Sequence, residues 1–156
     1  MITTAVLRPA EMANLQIQFE SSPHVFKCDQ VPGSLGLHGN RVKFINPYLE
    51  RFRPLAERNV GLSLKCQHGF MRKSFKGNEL PFHTDKFGLD VTITIQIATS
   101  DNQINPLIVH VSLEEDIEER LNNGDATVVK GREFAHSRPP VKSDWMLGLF
   151  LHYSFT

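Results

Sequence analysis

The chain has little cysteine, little tryptophan or tyrosine, and no surplus of either charge. Its two cysteines, Cys28 and Cys66, stand in no CxxC pattern, which excludes a disulfide scaffold or a four-cysteine zinc module. They read as buried or half-buried thiols in a reduced, cytoplasmic setting. Lys plus Arg and Asp plus Glu both number 17, so the formal net charge is zero. A general nucleic-acid binder needs a phosphate-neutralising surplus. No basic, aromatic-rich channel stands out either, so nucleic acid is not an expected partner. No run approaches the roughly 18 apolar residues of a membrane-spanning helix. The opening residues lack the basic region, apolar run and cleavage site of a secretory signal. Internal repeats, low-complexity tracts and long linkers are also missing, and 156 residues fit one domain around one core.

What is present is mostly β pattern. Residues 15–19 alternate apolar and polar at period two, as a half-buried strand does, with residues 25–28 as its partner. Pro32-Gly33, Gly36 and Gly39 mark loops. Phe44, Ile45, Tyr48, Leu49, Phe52 and Leu55 recur at three- and four-residue steps on one face of a helix. Pro47 suits its first turn and Pro54 would end or bend it. Strands are expected over residues 60–66 and 69–75, with a turn at Lys76-Gly77-Asn78, then over 89–98, 106–111, 126–130 and 145–155. In the 89–98 strand Val91, Ile93, Ile95 and Ile97 share one face, and Thr92, Thr94 and Gln96 the other. The acidic stretch 113–121 is expected as a short helix. Lys73 and Lys76 read as a solvated edge that discourages sheet-to-sheet pairing. Many short strands with Gly and Pro turns and one packed helix indicate an antiparallel sandwich or jelly roll. Residues 1–59 would supply N-terminal strands and a supporting helix, and residues 60–156 the core.

The chemistry concentrates in His83-Thr84-Asp85 and a later His136. Residues two apart in a strand-like segment point the same way, so His83 and Asp85 can reach one metal, and His136 can join them from a neighbouring strand. Two imidazoles and one carboxylate on one octahedral face suit non-haem iron(II), leaving positions open for a bidentate cosubstrate and dioxygen. Thr92, Thr94 and Gln96 either meet water or line the interior, where they need partners. Tyr153 and His152 alternate on the last strand, so at most one faces a cavity. Glu133 and Asp144 are candidates for a supporting bond to a ligating imidazole. His24, His38, His68 and His110 lack ligand spacing and read as structural or surface residues. Asp125 reads as a turn residue bonding nearby backbone N–H groups.

The ordered segments Lys73 through Asp85, Thr92-Ile93-Thr94-Ile95-Gln96, Gly124 through Pro140, and Leu149-Phe150-Leu151-His152-Tyr153 together resemble the 2-oxoglutarate-Fe(II) oxygenase superfamily. The likeness is nearest to its compact members related to prolyl hydroxylases, and it covers residues 60–156. The resemblance implies a mainly β double-stranded β-helix, a jelly-roll core with one or two packed helices, carrying His83, Asp85 and His136 as iron ligands. It implies 2-oxoglutarate and O2 as cosubstrates, with ascorbate as an optional reductant. The reaction would hydroxylate a C–H bond of an amino-acid, peptidyl or other small substrate. Asp85 fills the position a halide would need, which favours hydroxylation over halogenation. The cosubstrate's far carboxylate usually meets an Arg or Lys on the strand after the distal histidine, and Trp145-Met146-Leu147-Gly148 offers none. Arg138, two residues beyond His136, and Arg72, before the metal motif, are the substitutes. A guanidinium matches a carboxylate in bidentate fashion. Thr92, Thr94 and Tyr153 complete the expected cosubstrate pocket. A cupin-like metal enzyme without 2-oxoglutarate, or a non-catalytic jelly-roll binding module, are the alternatives.

Overall fold

The computed structural model describes residues 2–156. In chain order it contains β1 (Ile2–Thr3), α1 (Pro9–Ser21), β2 (Phe26–Lys27), β3 (Leu35–His38), α2 (Pro47–Val60), β4 (Leu64–Phe75), β5 (Leu80–His83), β6 (Val91–Thr99), β7 (Leu107–His110), β8 (Asp116–Glu119), β9 (Ala126–Val129), β10 (Ala135–Arg138) and β11 (Trp145–Phe155). Two antiparallel sheets face each other. The larger has seven strands in the order β1-β9-β6-β11-β4-β3-β2, and the smaller has four in the order β5-β10-β7-β8. The crossing order is that of a jelly roll, as the strand pattern indicates. No helix among the described residues is long and apolar enough to cross a membrane.

Both faces of the large sheet are covered. Val91, Ile93, Ile95 and Ile97 of β6 and Leu147, Leu149, Leu151 and Tyr153 of β11 are buried against Leu15 and Phe19 of α1 and Leu49, Phe52 and Ala56 of α2. This is the main core. A smaller cluster, Val31, Leu80, Leu107, Val109 and Val129, holds the two sheets together. Asp125 bonds nearby backbone as expected: its carboxylate accepts from the N–H of Ala5 at 3.1 Å and of Asn122 at 3.0 Å. Cys28 is buried and Cys66 half-buried, both free.

Five expectations fail, each for a physical reason. Residues 15–19 lie in α1, not in a strand. Leu15 and Phe19 are four apart and both buried, whereas Ile17 between them is 64% exposed, so the apparent alternation is half of a helical stripe. Pro9 opens this helix, and Glu11 accepts from the Arg8 N–H at 3.2 Å, a local start signal. Residues 116–119 are β8, paired with β7 through Leu107↔Glu119 and Val109↔Ile117, so tertiary pairing overrides an acidic stretch without an apolar stripe. Helix α2 runs through Pro54 to Gly61, whose φ of 71° closes it in the left-handed region. Burial of Leu49, Phe52 and Ala56 offsets the cost of an interior proline, about 3 kcal/mol. Residues 64–75 form one strand, not two, and Val60 still belongs to α2. β4 has partners on both sides and Lys73 pairs with Glu20 of α1 at 3.0 Å, so this is no solvated edge.

Candidate metal centre

β5 and β10 lie side by side with His83 and His136 directly opposite, and the register shifts just after that pair. The two imidazole centroids are 4.4 Å apart at 55°. Asp85 follows two residues beyond β5, held by its N–H donating to the Gly131 carbonyl at 2.8 Å. Its Oδ1 lies 3.5 Å from His83 Nε2 and 3.4 Å from His136 Nε2. One ligand atom from each residue falls within 4.8 Å of the other two.

The protonation pattern suits a divalent cation. His83 Nδ1 sits 2.8 Å from the Pro81 carbonyl and His136 Nδ1 3.1 Å from the Phe134 carbonyl. A carbonyl only accepts, so each Nδ1 carries the proton and each Nε2 keeps its lone pair toward Asp85. Backbone thus does the orienting work expected of Glu133 or Asp144. Glu133 instead pairs with Lys130 at 3.5 Å. Burial pushes the Asp85 carboxyl up, but the adjoining His136 and His83 imidazoles outweigh burial and hold it well below the usual carboxylate range. The nearby carboxylate in turn raises His83.

Supporting residues arrive from three sides. Thr92 Oγ1 donates to Asp85 Oδ2 at 2.9 Å and accepts from His152 Nδ1 at 2.8 Å. An ionised carboxylate is acceptor-only, so Thr92 has a single consistent orientation and His152 carries its proton on Nδ1. Burial pulls His152 down to about 4, which keeps the imidazole neutral at physiological pH. Gln30, in the loop between β2 and β3, reaches across: its Oε1 accepts from Arg72 at 2.7 Å, which turns its amide nitrogen toward His83 Nε2 at 3.2 Å. Gly131 completes the cradle. A Cβ there would lie 2.0 Å from Asp85 Oδ2 and 3.3 Å from His136 Cε1.

The two arginines meet in the interior behind this cluster. Arg138 is 7% exposed and Arg72 8%. The Nε of each is buried without a hydrogen-bond partner. Burial, reinforced by the neighbouring Arg72 charge, pulls Arg138 down to about 10, and no carboxylate pairs with it among the described residues. Arg72 stands on β4 directly beside Gly148 of β11, so a cation lies in the row where the last strand lacks one. Thr94, buried, shares the inward face of β6 with Thr92.

Tyr153 does not join them. It points to the helix side of the large sheet, fully buried, and its hydroxyl donates to the Leu49 carbonyl at 2.9 Å. The adjacent His152 takes the inward position. Gln30, Gly131 and His152 are the site residues that sequence reasoning missed. For His152 the sequence offered only its alternation with Tyr153, which does not choose between them; for Gly131 it was only a glycine five residues before His136.

No family model and no curated protein matches the sequence. Solved structures do match its fold. A prolyl-4-hydroxylase of Pseudomonas putida superposes with a TM-score of 0.76 at 13% identity, over 100% of this chain and 92% of that one. The non-heme alpha ketoglutarate dependent epimerase SnoN from nogalamycin biosynthesis gives 0.81 at 14% identity, over 99% and 77%. HygX from Streptomyces hygroscopicus, with nickel and 2-oxoglutarate bound, gives 0.78 at 12% identity, over 100% and 82%. At these identities what is shared is the fold: this chain has the double-stranded β-helix of the 2-oxoglutarate-Fe(II) oxygenases. One fold serves a hydroxylase and an epimerase, so the reaction has to be argued from the site.

Proposed function

We propose that this protein is an iron(II)- and 2-oxoglutarate-dependent dioxygenase that hydroxylates a C–H bond of an amino-acid, peptidyl or other small substrate. The observation that carries the reading is the convergence of two Nε2 lone pairs and one ionised carboxylate from His83, His136 and Asp85. Two nitrogens and one oxygen on one face match the donor set of non-haem iron(II). The metal and cosubstrate supply the oxidising power when bound.

The chain's own residues do the rest. Thr92 and His152 fix the Asp85 carboxylate, and the Pro81 and Phe134 carbonyls fix the imidazoles. Arg138 and Arg72 are two buried cations with unpartnered Nε groups, a costly arrangement unless an anion enters. They are the residues for the far carboxylate of 2-oxoglutarate, with Thr94 on the wall beside it. Gln30 ties Arg72 to the metal face, so anion and metal positions are coupled through one amide.

The test is anaerobic titration of the iron(II)-loaded protein with 2-oxoglutarate, followed by the weak visible charge-transfer band of the chelate. A saturable band that is lost in His136→Ala is the expected outcome. Bound iron without a band would sink the 2-oxoglutarate assignment and favour a cupin-like enzyme or a binding module. Failure to bind iron would overturn the ligand set itself.

A further inference from the structure

Several rings on the inward face of the large sheet have no part in the metal centre. Phe26 of β2 stacks on His38 of β3, with centroids 4.9 Å apart and planes 15° from parallel. Both lean on Phe70 of β4, at 6.1 and 5.0 Å, and Phe70 continues to Phe150 of β11 at 6.3 Å. One row away, His68 tilts against His152 at 4.8 Å. Four strands therefore contribute one continuous shelf of flat groups. Its inner end is buried at Phe70, while Phe26 is 37% exposed and His38 is open to solvent.

The shelf joins the metal centre at two points. Arg72 lies over Phe70 and Phe150, 5.3 Å from each centroid, and reaches His83 through Gln30. His152 reaches Asp85 through Thr92. Gly36 shows that the rings are packed to leave no room between them. A Cβ there would meet Phe70 Cζ at 2.6 Å, Phe26 Cζ at 3.0 Å and Cys28 Sγ at 2.5 Å, so any side chain would push the two phenyl rings apart.

We infer that this shelf is the substrate wall and that the substrate carries a flat aromatic ring system, lying along Phe26, His38 and Phe70 with its edge toward His83, Asp85 and His136. This rests on the oxygenase reading of the centre. Offset or edge-on ring contacts favour planar partners beyond their area of contact.

The experiment uses 2-naphthol as the probe, with 2-decalol as a non-planar control and an N-acetylated prolyl peptide as competitor, because proline-rich chains also favour aromatic grooves. Binding is measured by equilibrium dialysis to the full chain without metal, and to the chain loaded with Mn(II) and 2-oxoglutarate under nitrogen. Saturable naphthol binding is expected, weakened about tenfold in Phe26→Leu, which keeps apolar bulk but loses the ring. Mn(II) should broaden the naphthol proton resonances in the loaded protein. Equal binding of decalol, unchanged affinity in a folded Phe26→Leu variant, or peptide binding without naphthol binding would each overturn the inference. If Mn(II) fails to bind, the oxygenase reading falls while the metal-free dialysis still decides whether the shelf selects flat molecules.

Discussion

Strand β6 presents two buried faces that do opposite things. Toward the helices it offers Val91, Ile93, Ile95 and Ile97, and toward the small sheet Thr92, Thr94 and Gln96. Burial alone does not tell them apart. The first face has no polar atom to satisfy and is filled by α1 and α2. The second shares the space between the sheets with two arginines, Arg72 of β4 and Arg138 of the facing β10. One face stabilises the fold. The other faces buried cations whose Nε atoms have no hydrogen-bond partner.

That contrast can be broken from either side. The largest effect is expected from Ile95→Ala on the helix face, which should lower unfolding free energy by about 2–5 kcal/mol in urea titration. Iron affinity of the folded fraction should be unchanged. Arg138→Met acts in the other sense. It removes a buried unpaired cation, so the thermal midpoint should hold or rise, while 2-oxoglutarate binding weakens by about 2–5 kcal/mol in the anaerobic titration. A variant that loses stability and keeps cosubstrate affinity would show Arg138 to be structural.

Gly131→Ala sharpens the comparison at the cradle. The added methyl falls on Asp85 Oδ2, so metal affinity should drop by about 10–100-fold, the range for displaced supporting contacts, with the circular dichroism spectrum retained. The smallest effect concerns α1 and α2. Arg51 of α2 hydrogen-bonds Glu11 of α1 and, against the opposing effect of burial, holds its carboxyl down at about 2, from an ordinary 4.5. A depressed carboxyl adds stability above its unfolded pKa and loses it as pH falls through the folded value. The gap in urea midpoint between wild type and Glu11→Gln should therefore be full at neutral pH and close between about pH 4.5 and 2. With both side chains near the surface, it should stay under about 1 kcal/mol.

The convergence of His83, Asp85 and His136 and the burial of Arg138 were legible in sequence because much of their relation is local. His83 and Asp85, and His136 and Arg138, are two apart; the second pair lies in β10, whereas Asp85 follows the end of β5 and is placed by its bond to Gly131. The β pattern of residues 64–156 was readable for the same reason, apart from β8 and the unbroken length of β4. Gln30 was not legible, since nothing near it says that its loop crosses from the large sheet to β5. The choice between His152 and Tyr153 was equally closed. Both phases of β11 are buried, and only the packing of α2 against one face decides which residue is core. The first helix failed because five residues of apparent alternation are too few to separate two periods.

The pairing of Arg72 with Gly148 has a wider consequence. In a sheet, an address has two parts: the strand, and the rung at which the strand is crossed. Moving a guanidinium to the neighbouring strand on the same rung keeps the charge where the ligand would meet it, while its place in the chain shifts from one end of the core to the other. A signature read linearly registers a loss, and one read across the rungs registers a substitution. At Gly148 itself a Cβ would meet Phe150 Cζ at 3.1 Å, the ring over which Arg72 lies.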